Sequence, residues 1–202
     1  MGGTPLLARL GLWRLTRNPI ARRVYNHLAS AGMVLAQLDR FEREAAVAHG
    51  VAEPPDDVTL TVTPAVDSVP ASLRDAPLAP GDLLVRAERG GTSVGHCCLS
   101  DRPVYVPELR QRLAFEGSYL WGLYVAPAER GRGIGTAIVA RAVTATAASL
   151  AADRIVALVA PDNLPSRKAF ARLGFRPTER YTSYGLFGRE RHRCRPPDPK
   201  YK

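Results

Sequence analysis

The chain has 202 residues, of which 46% are hydrophobic and 23% are charged. This length suits one domain, and this composition is typical of a globular protein rather than a disordered or fibrous one. The sequence contains no apolar run of about 18 residues, so we expect no membrane-spanning helix, and its start does not resemble a secretory signal. The three cysteines are too few for a disulfide framework, which favours a reducing compartment, the cytoplasm.

The net charge of +9 is carried by the two ends of the chain. Residues 1–50 contain seven arginines and three acids, residues 176–202 contain eight basic and three acidic residues, and the residues between them contain thirteen of each. A balanced middle is typical of an ordinary globular domain. We therefore do not expect nucleic acid or a membrane surface as a partner.

The first 50 residues are predicted to form a basic amphipathic helical extension. Leu35, Leu38 and Phe41 recur at three-residue intervals, and Asn18-Pro19 interrupts the pattern as a helix boundary would. Such helices could pack on the domain or on a second copy of the chain, which leaves a homodimer open. The alternative is an arginine-rich face that lies on an anionic membrane or nucleic acid.

The rest of the chain is predicted to form one domain over residues 55–193, followed by a basic, proline-rich tail over 194–202. Gly90-Gly91 predicts a hairpin. The predicted strands are 58–63, 83–89, 92–100, 119–125, 154–160, 176–184 and 186–193, and the predicted helices are 133–151 and 165–173. Antiparallel strands followed by strand–helix–strand–helix–strand predict an α+β fold with a mixed sheet.

A glycine-rich turn joins strand 119–125 to the long helix. A helix start offers unpaired N–H groups and a partial positive charge to an anion, and glycines let phosphate oxygens approach the backbone. Arg130 and Arg132 can pair with phosphate in a forked geometry. Because the glycines fall at 131, 133 and 135, the turn is neither a P-loop nor a dinucleotide fingerprint.

Two segments of the chain together resemble one family. Arg130-x-x-Gly133-x-Gly135, which follows a strand ending in Leu123-Tyr124-Val125, resembles the acetyl-CoA signature of the GNAT superfamily of N-acetyltransferases. The segment from Asn163 through Ser166 to Gly174-Phe175 resembles the later motif of the same family. The resemblance covers residues 58–193 and does not explain residues 1–50.

The resemblance implies a GNAT-like fold, in which a mixed, mostly antiparallel central sheet contains two parallel strands that splay apart, with flanking helices. It also implies transfer of an acetyl group from acetyl-CoA, the co-substrate, to a primary amine by direct attack. The splayed strands would be 119–125 and 154–160. The cofactor-binding residues that it implies are Leu123, Tyr124, Val125, Arg130, Gly131, Arg132, Gly133, Ile134, Gly135, Thr136, Asn163 and Ser166.

The catalytic residues follow less directly from the resemblance. The family often has a tyrosine seven residues after the motif asparagine, which protonates the departing thiolate, whereas this chain has Phe170. We take Tyr184, ahead of Tyr181, as the candidate general acid. Glu116, just before the first splayed strand, is the candidate general base, with Glu108 as the alternative and water able to serve in either role.

His96-x-Cys98 and His192-x-Cys194 repeat a spacing that could supply zinc ligands. In the sheet order that the resemblance implies, their strands are not neighbours, so we expect no metal.

Phe170 leaves a second functional class open, a non-catalytic module that binds acyl-CoA or regulates, and a basic nucleic-acid or membrane-surface protein is the third. No motif specifies the amine acceptor, whose pocket we expect segments 64–82 and 101–117 to shape.

Overall fold

The computed structural model describes residues 34–45, 52–65, 78–186 and 189–197, together with Pro70, Leu73 and Ala76. Its strands and helices follow one another along the chain as β1 (Val34–Glu44), β2 (Thr59–Pro64), β3 (Leu83–Arg89), β4 (Thr92–Ser100), β5 (Val104–Val106), β6 (Gln111–Leu113), β7 (Ser118–Val125), a 3-10 turn (Pro127–Glu129), α1 (Ile134–Ser149), β8 (Arg154–Val159), α2 (Leu164–Arg172), β9 (Arg176–Leu186) and β10 (Arg189–Arg195).

Eight of the described strands form one sheet in the order β10-β9-β1-β8-β7-β4-β3-β2, and β5 pairs with β6 in a separate hairpin. β7 and β8 pair in parallel, and the other neighbours in the sheet pair antiparallel. The structure thus confirms the α+β class with a mixed, mostly antiparallel sheet. It also confirms the hairpin at Gly90-Gly91, because β3 ends and β4 begins on either side of that pair.

The two helices lie on one face of the sheet, which we call the helix face. Ile138 of α1 and Phe170 of α2 are buried there in the same apolar cluster as strand residues such as Leu120 and Ile155. The opposite face, which we call the loop face, is covered by the described residues of 65–82 and by the β5–β6 hairpin. No helix among the described residues is long and apolar enough to cross a membrane.

The prediction of a helical extension over residues 1–50 is wrong for residues 34–44. These residues form β1, which lies inside the sheet between β8 and β9, with Asp39 opposite both Val159 and Arg180. The domain boundary predicted at residue 55 therefore falls after a strand of the same sheet. The remainder of the predicted extension, residues 1–33 and 46–50, and most of the predicted tail lie outside the described residues.

The helical prediction failed because β1 is covered on both faces. Leu38 packs on the loop face with the β5–β6 hairpin, whereas Phe41 packs on the helix face, 6.2 Å from the ring of Phe170. The polar residues between them are not solvated as in a surface helix, since Arg40 pairs with Glu179 at 3.1 Å. The periodicity of apolar residues assumes that polar residues face water, and ion pairs within a sheet do not meet that assumption.

Replacing Phe41 by alanine tests whether β1 belongs to the core. The side chain is 3% exposed, so its loss leaves a cavity between β1 and α2. The free energy of unfolding should fall by about 3 to 5 kcal/mol, as measured by denaturant melts. Glu44→Ala, at the exposed end of the same strand, is the control and should change it by less than about 0.5 kcal/mol. Equal effects of the two substitutions would contradict the central position of β1.

Candidate functional site

The parallel strands β7 and β8 separate after a short paired segment, and we call their separation the fork. Pairing is confined to residues 118–120 of β7 and 155–157 of β8. Beyond it, β7 still pairs with β4 as far as Val125, and β8 still pairs with β1 as far as Val159. The backbone N–H and C=O groups that line the fork therefore have no strand partner across the gap and can bond to a ligand, apart from the Val125 carbonyl, which accepts from Arg130.

A β-bulge in β7 accompanies the fork. Cys98 lies opposite Trp121 and His96 opposite Tyr124, so two residues of β7 face one residue of β4. Gly122, one of the two residues that face Cys97, has a φ of +64°, a conformation that residues with a Cβ rarely adopt. Because a bulge bends its strand, it turns the end of β7 away from β8.

Both helices begin at the open end of the fork, where the two parallel strands end. The N-cap of α1 is Gly133, with a φ of +83°, and neither a capping side chain nor an acidic residue occupies its first turn. The N–H groups of Ile134, Gly135 and Thr136 therefore have no intrahelical acceptor and add to the partial positive charge of the helix start. The α2 start is capped, because Oδ1 of Asn163 accepts from the Ser166 N–H at 3.3 Å.

The loop before α1 carries two exposed arginines and is fixed at its base. Glu129 is paired with Arg89 of β3 and, at 3.4 Å, with Arg132. The Nε atom of Arg130 donates to the Val125 carbonyl at 3.0 Å. Guanidinium groups next to open helix N–H groups form a site suited to a phosphate or pyrophosphate.

The structure brings the predicted cofactor-binding residues to this one end of the sheet. Leu123, Tyr124 and Val125 end β7 beyond the paired segment, where they line the fork, and residues 130–133 form the exposed loop. The Ile134 side chain is buried in the core, so only its backbone can face a ligand. Asn163 and Ser166 lie at the start of α2, which follows β8, the other strand of the fork.

Sequence reasoning missed one side chain near the open end of the fork. Leu164, the first residue of α2, is 47% exposed. Tyr124 of β7, a predicted cofactor-binding residue, is 41% exposed, and its ring stacks 5.3 Å from His96. An apolar residue between a capping asparagine and a proline is a weak signal that could have identified Leu164. The sequence singled out His96 only as a possible zinc ligand, whereas in the structure it is a buried histidine whose pKa is lowered from its usual value by burial and then by the charge of Arg86.

A cleft of about 450 Å³ opens on the loop face. It begins level with the fork, because Arg40 lies opposite Leu158, the first residue of β8 beyond the paired segment. Its lining residues are mostly charged: Arg40, Glu42, Ala114, Phe115, Glu116, Arg154, Thr178 and Glu179.

The cleft includes the predicted general base, Glu116, as an exposed carboxylate. Arg40 holds the cleft's other carboxylates, Glu42 at 2.8 Å and Glu179 at 3.1 Å. Glu116 itself forms no ion pair within the described part of the chain. Glu108, the alternative base, lies in the turn before β6, where its charge adds to burial in raising the pKa of Tyr119.

The two tyrosines predicted as candidate acids do not lie at the fork. Tyr184 lies on β9, three strands or about 14 Å across the sheet from β7, with the Arg193 guanidinium 5.4 Å from its ring. The Tyr181 hydroxyl donates to Glu179 at 3.0 Å, and burial and this contact raise its pKa to about 12. Phe170 is buried edge-to-face against Phe175, 5.0 Å between ring centroids.

The two histidine–cysteine pairs lie far apart. His96 and Cys98 are on β4, His192 and Cys194 are on β10, and four strands separate β4 from β10 in the sheet. Among the described residues, no three histidine, cysteine, aspartate or glutamate side chains converge as a metal site would require.

Comparison with known protein families gives one match. The sequence pattern of a family described as acetyltransferase (GNAT) matches residues 53–175. No curated protein matches the chain. Similar solved structures include a Drosophila protein (16% identity, 84% of this chain and 58% of that chain, TM-score 0.54). A second is a GCN5-related N-acetyltransferase from Kribbella flavida (18% identity, 82% of this chain and 64% of that chain, TM-score 0.53). A third is a tandem GNAT protein from the clavulanic acid biosynthesis pathway (14% identity, 87% of this chain and 59% of that chain, TM-score 0.53).

These structures establish the fold that the chain shares with them. The chain spans about three fifths of the length of each of the three.

The burial of His96 should give the protein a measurable pH dependence. In the unfolded chain a histidine titrates near its usual pKa of about 6.5, whereas the folded protein keeps His96 neutral to lower pH. As the pH falls below that value, the unfolded state takes up a proton that the folded state does not, and the free energy of unfolding decreases by at most about 1.4 kcal/mol per pH unit.

Denaturant melts between about pH 5 and pH 7.5 measure this effect, since the range brackets the usual histidine pKa. His96→Gln should remove this component of the slope. Wild type and variant with the same pH dependence would show that His96 titrates alike in both states.

Proposed function

Since this chain belongs to the GNAT acetyltransferase family, whose members are acyltransferases that use acyl-CoA, we propose that it transfers the acetyl group of acetyl-CoA to a primary amine by direct attack. The observation that supports this most strongly is the fork with an uncapped helix start and two arginines at its open end. An extended thioester ligand with a pyrophosphate at one end fits this combination.

In the proposed complex, each part of acetyl-CoA meets one element. The N–H groups of residues 130–136 bind the pyrophosphate, which the charges of Arg130 and Arg132 also attract. The pantetheine arm lies in the fork, where the backbones of Leu123 and Val125 take the place of the missing strand partner. Asn163 and Ser166 line the arm on the α2 side.

In the reaction, the amine nitrogen attacks the thioester carbonyl carbon, and the C–S bond of the resulting tetrahedral intermediate breaks. A backbone N–H in the fork stabilises the negative charge that develops on the carbonyl oxygen. The attacking nitrogen is that of the neutral amine, so an amine that arrives protonated first loses one proton to the base. After attack the nitrogen gives up a second proton and the CoA thiolate takes up one, so the products are an amide and free CoA. Because Tyr184 is remote from the fork and the Tyr181 hydroxyl is bonded to Glu179, water protonates the thiolate.

We place the amine acceptor in the cleft on the loop face. The cleft reaches the fork at Arg40, so an amine within it can approach a thioester held from the open end. An alkyl amine has a pKa near 10.4 and arrives protonated, so it needs both a counter-charge and a proton acceptor. Glu116 supplies both, because it is the cleft carboxylate that Arg40 does not hold.

Release of free CoA thiol, followed with a thiol reagent against a panel of primary amines, tests the proposed activity. Turnover with at least one amine is expected. The alternative left open by the sequence, a module that binds acyl-CoA without turning it over, predicts binding of acetyl-CoA with no amine-dependent thiol release. Absence of acetyl-CoA binding would contradict both.

Paired substitutions at Gly133 test the pyrophosphate site. Asparagine and aspartate are nearly the same size and both tolerate positive φ, so Gly133→Asn and Gly133→Asp impose a similar backbone strain. Only aspartate adds a negative charge where the pyrophosphate should lie. Calorimetric titration should show a Kd for CoA at least about tenfold higher in Gly133→Asp than in Gly133→Asn, a difference of about 1.4 kcal/mol. The same Kd in both variants would place the pyrophosphate elsewhere.

Glu116→Gln tests the general base. Loss of a positioned proton acceptor should lower kcat/KM for the amine by about a hundredfold near neutral pH. Glu108→Gln, on the same face, and Tyr184→Phe, remote from the fork, are the matched controls and should stay close to wild type. Wild-type kcat/KM in Glu116→Gln would contradict the role, and a loss in Glu108→Gln instead would assign it to that residue.

A further inference from the structure

We propose that Asp39 of β1 is a positioning residue for acyl-CoA, because it fixes the first turn of α2 through Arg167. This inference rests on the proposed function, and it concerns a residue outside the segment that the family pattern matches, which begins at residue 53.

Asp39 is a fully buried carboxylate on the helix face of the sheet. Its Oδ2 atom accepts from Nη1 of Arg167 at 2.5 Å and from Nη2 of Arg180 at 3.0 Å, and its Oδ1 atom accepts from Nε of Arg180 at 2.5 Å. Arg180 thus binds both carboxylate oxygens from β9, while Arg167 reaches the same carboxylate from α2. One buried anion therefore joins β1 to a neighbouring strand and to a helix.

The attachment of α2 to the sheet depends on few side chains. Of its nine residues, Arg167 and Phe170 are the buried ones. Phe170 anchors the second half of the helix in the core, whereas the first half is anchored by Arg167, whose guanidinium also lies 5.0 Å from the Phe41 ring centroid. Without the Asp39–Arg167 contact, the first turn of α2 has no other buried side chain to hold it against β1.

That first turn is also the part of α2 that borders the fork. The Arg167 N–H bonds to the Asn163 carbonyl at 3.0 Å, and Ser166 directly precedes it. Leu164, at the start of the same turn, is 47% exposed, so the turn is held on the Arg167 side and open at Leu164. A shift of this turn changes the width of the groove for the pantetheine arm, so it should weaken acyl-CoA binding while leaving the reacting atoms otherwise unchanged.

Two arginine substitutions separate positioning from stability. Arg167→Met removes the contact to α2, and Arg180→Met removes the contact to β9, while each leaves Asp39 one guanidinium partner. Both should lower the melting temperature. Arg167→Met should raise the Kd for acetyl-CoA about tenfold or more, which is 1.4 kcal/mol or more, with kcat at saturating acetyl-CoA close to wild type. Arg180→Met should keep the wild-type Kd.

Hydrogen exchange gives a readout that does not depend on ligand or activity. Arg167→Met should speed amide exchange at Ser166 and at residue 167, whose N–H groups bond to Asn163, and Arg180→Met should not. Arg167→Lys keeps the positive charge but replaces the planar guanidinium by a compact ammonium group. It should therefore keep most of the affinity that Arg167→Met loses. If Arg167→Met does not fold, the Kd of Arg167→Lys for acetyl-CoA is compared with that of wild type instead, and a smaller rise is expected.

An equal rise in Kd for the Arg167 and Arg180 variants would overturn the inference, and so would a wild-type Kd in folded Arg167→Met. Those outcomes, with wild-type protein that binds acetyl-CoA, leave the proposed function intact. Wild-type protein that does not bind acetyl-CoA contradicts the proposed function and this inference with it.

Discussion

β8 is bonded to β1 along all six of its residues but to β7 along only three. An open gap inside a sheet leaves backbone groups unpaired, and it persists only if both strands are held from the outside. β1 holds β8 up to Val159, and β4 holds β7 up to Val125 through a bulge that bends it. The fork, and with it the position of both helix starts, therefore depends on these two outer ladders.

β1 has this role because its polar residues are neutralised within the protein. A buried ion pair adds little net stability compared with an apolar pair, but loss of one partner costs about 3 to 5 kcal/mol. The Asp39 carboxylate thus matters most for register. A slip of β1 by one residue would move Asp39 to the loop face, away from both Arg167 and Arg180, and would leave their guanidinium groups without this carboxylate.

In the proposed reaction, the two faces of the sheet have different roles. Helices cover one face, and their starts supply positive charge at the open end of the fork. Irregular segments and a short hairpin cover the other, where a charged cleft begins level with the fork. In our proposal acetyl-CoA enters at the open end and the amine from the loop face, so that the reacting atoms meet where β7 and β8 separate.

Much of the fold, and the position of the candidate site's turn and helix starts, could be predicted from the sequence, because the signals are local. The Gly90-Gly91 turn, the alternation in the strands and the cap at Asn163 each act within a few residues, and the structure has the corresponding elements. The features of the glycine-rich turn are also local, since its two exposed arginines directly precede an uncapped helix start.

The tertiary structure alone decided the features that depend on distant partners. Residues 34–44 became a central strand because Asp39 and Arg40 find charged partners more than 120 residues away, at Arg167 and Glu179, which no local pattern reveals. Tyr184, the predicted general acid, lies away from the fork because β1 is inserted between β8 and β9 and so places β9 three strands from β7. The sequence by itself determined the glycine-rich turn and its two arginines, and the tertiary structure decided which side chains lie near it, because strand order follows from long-range pairing.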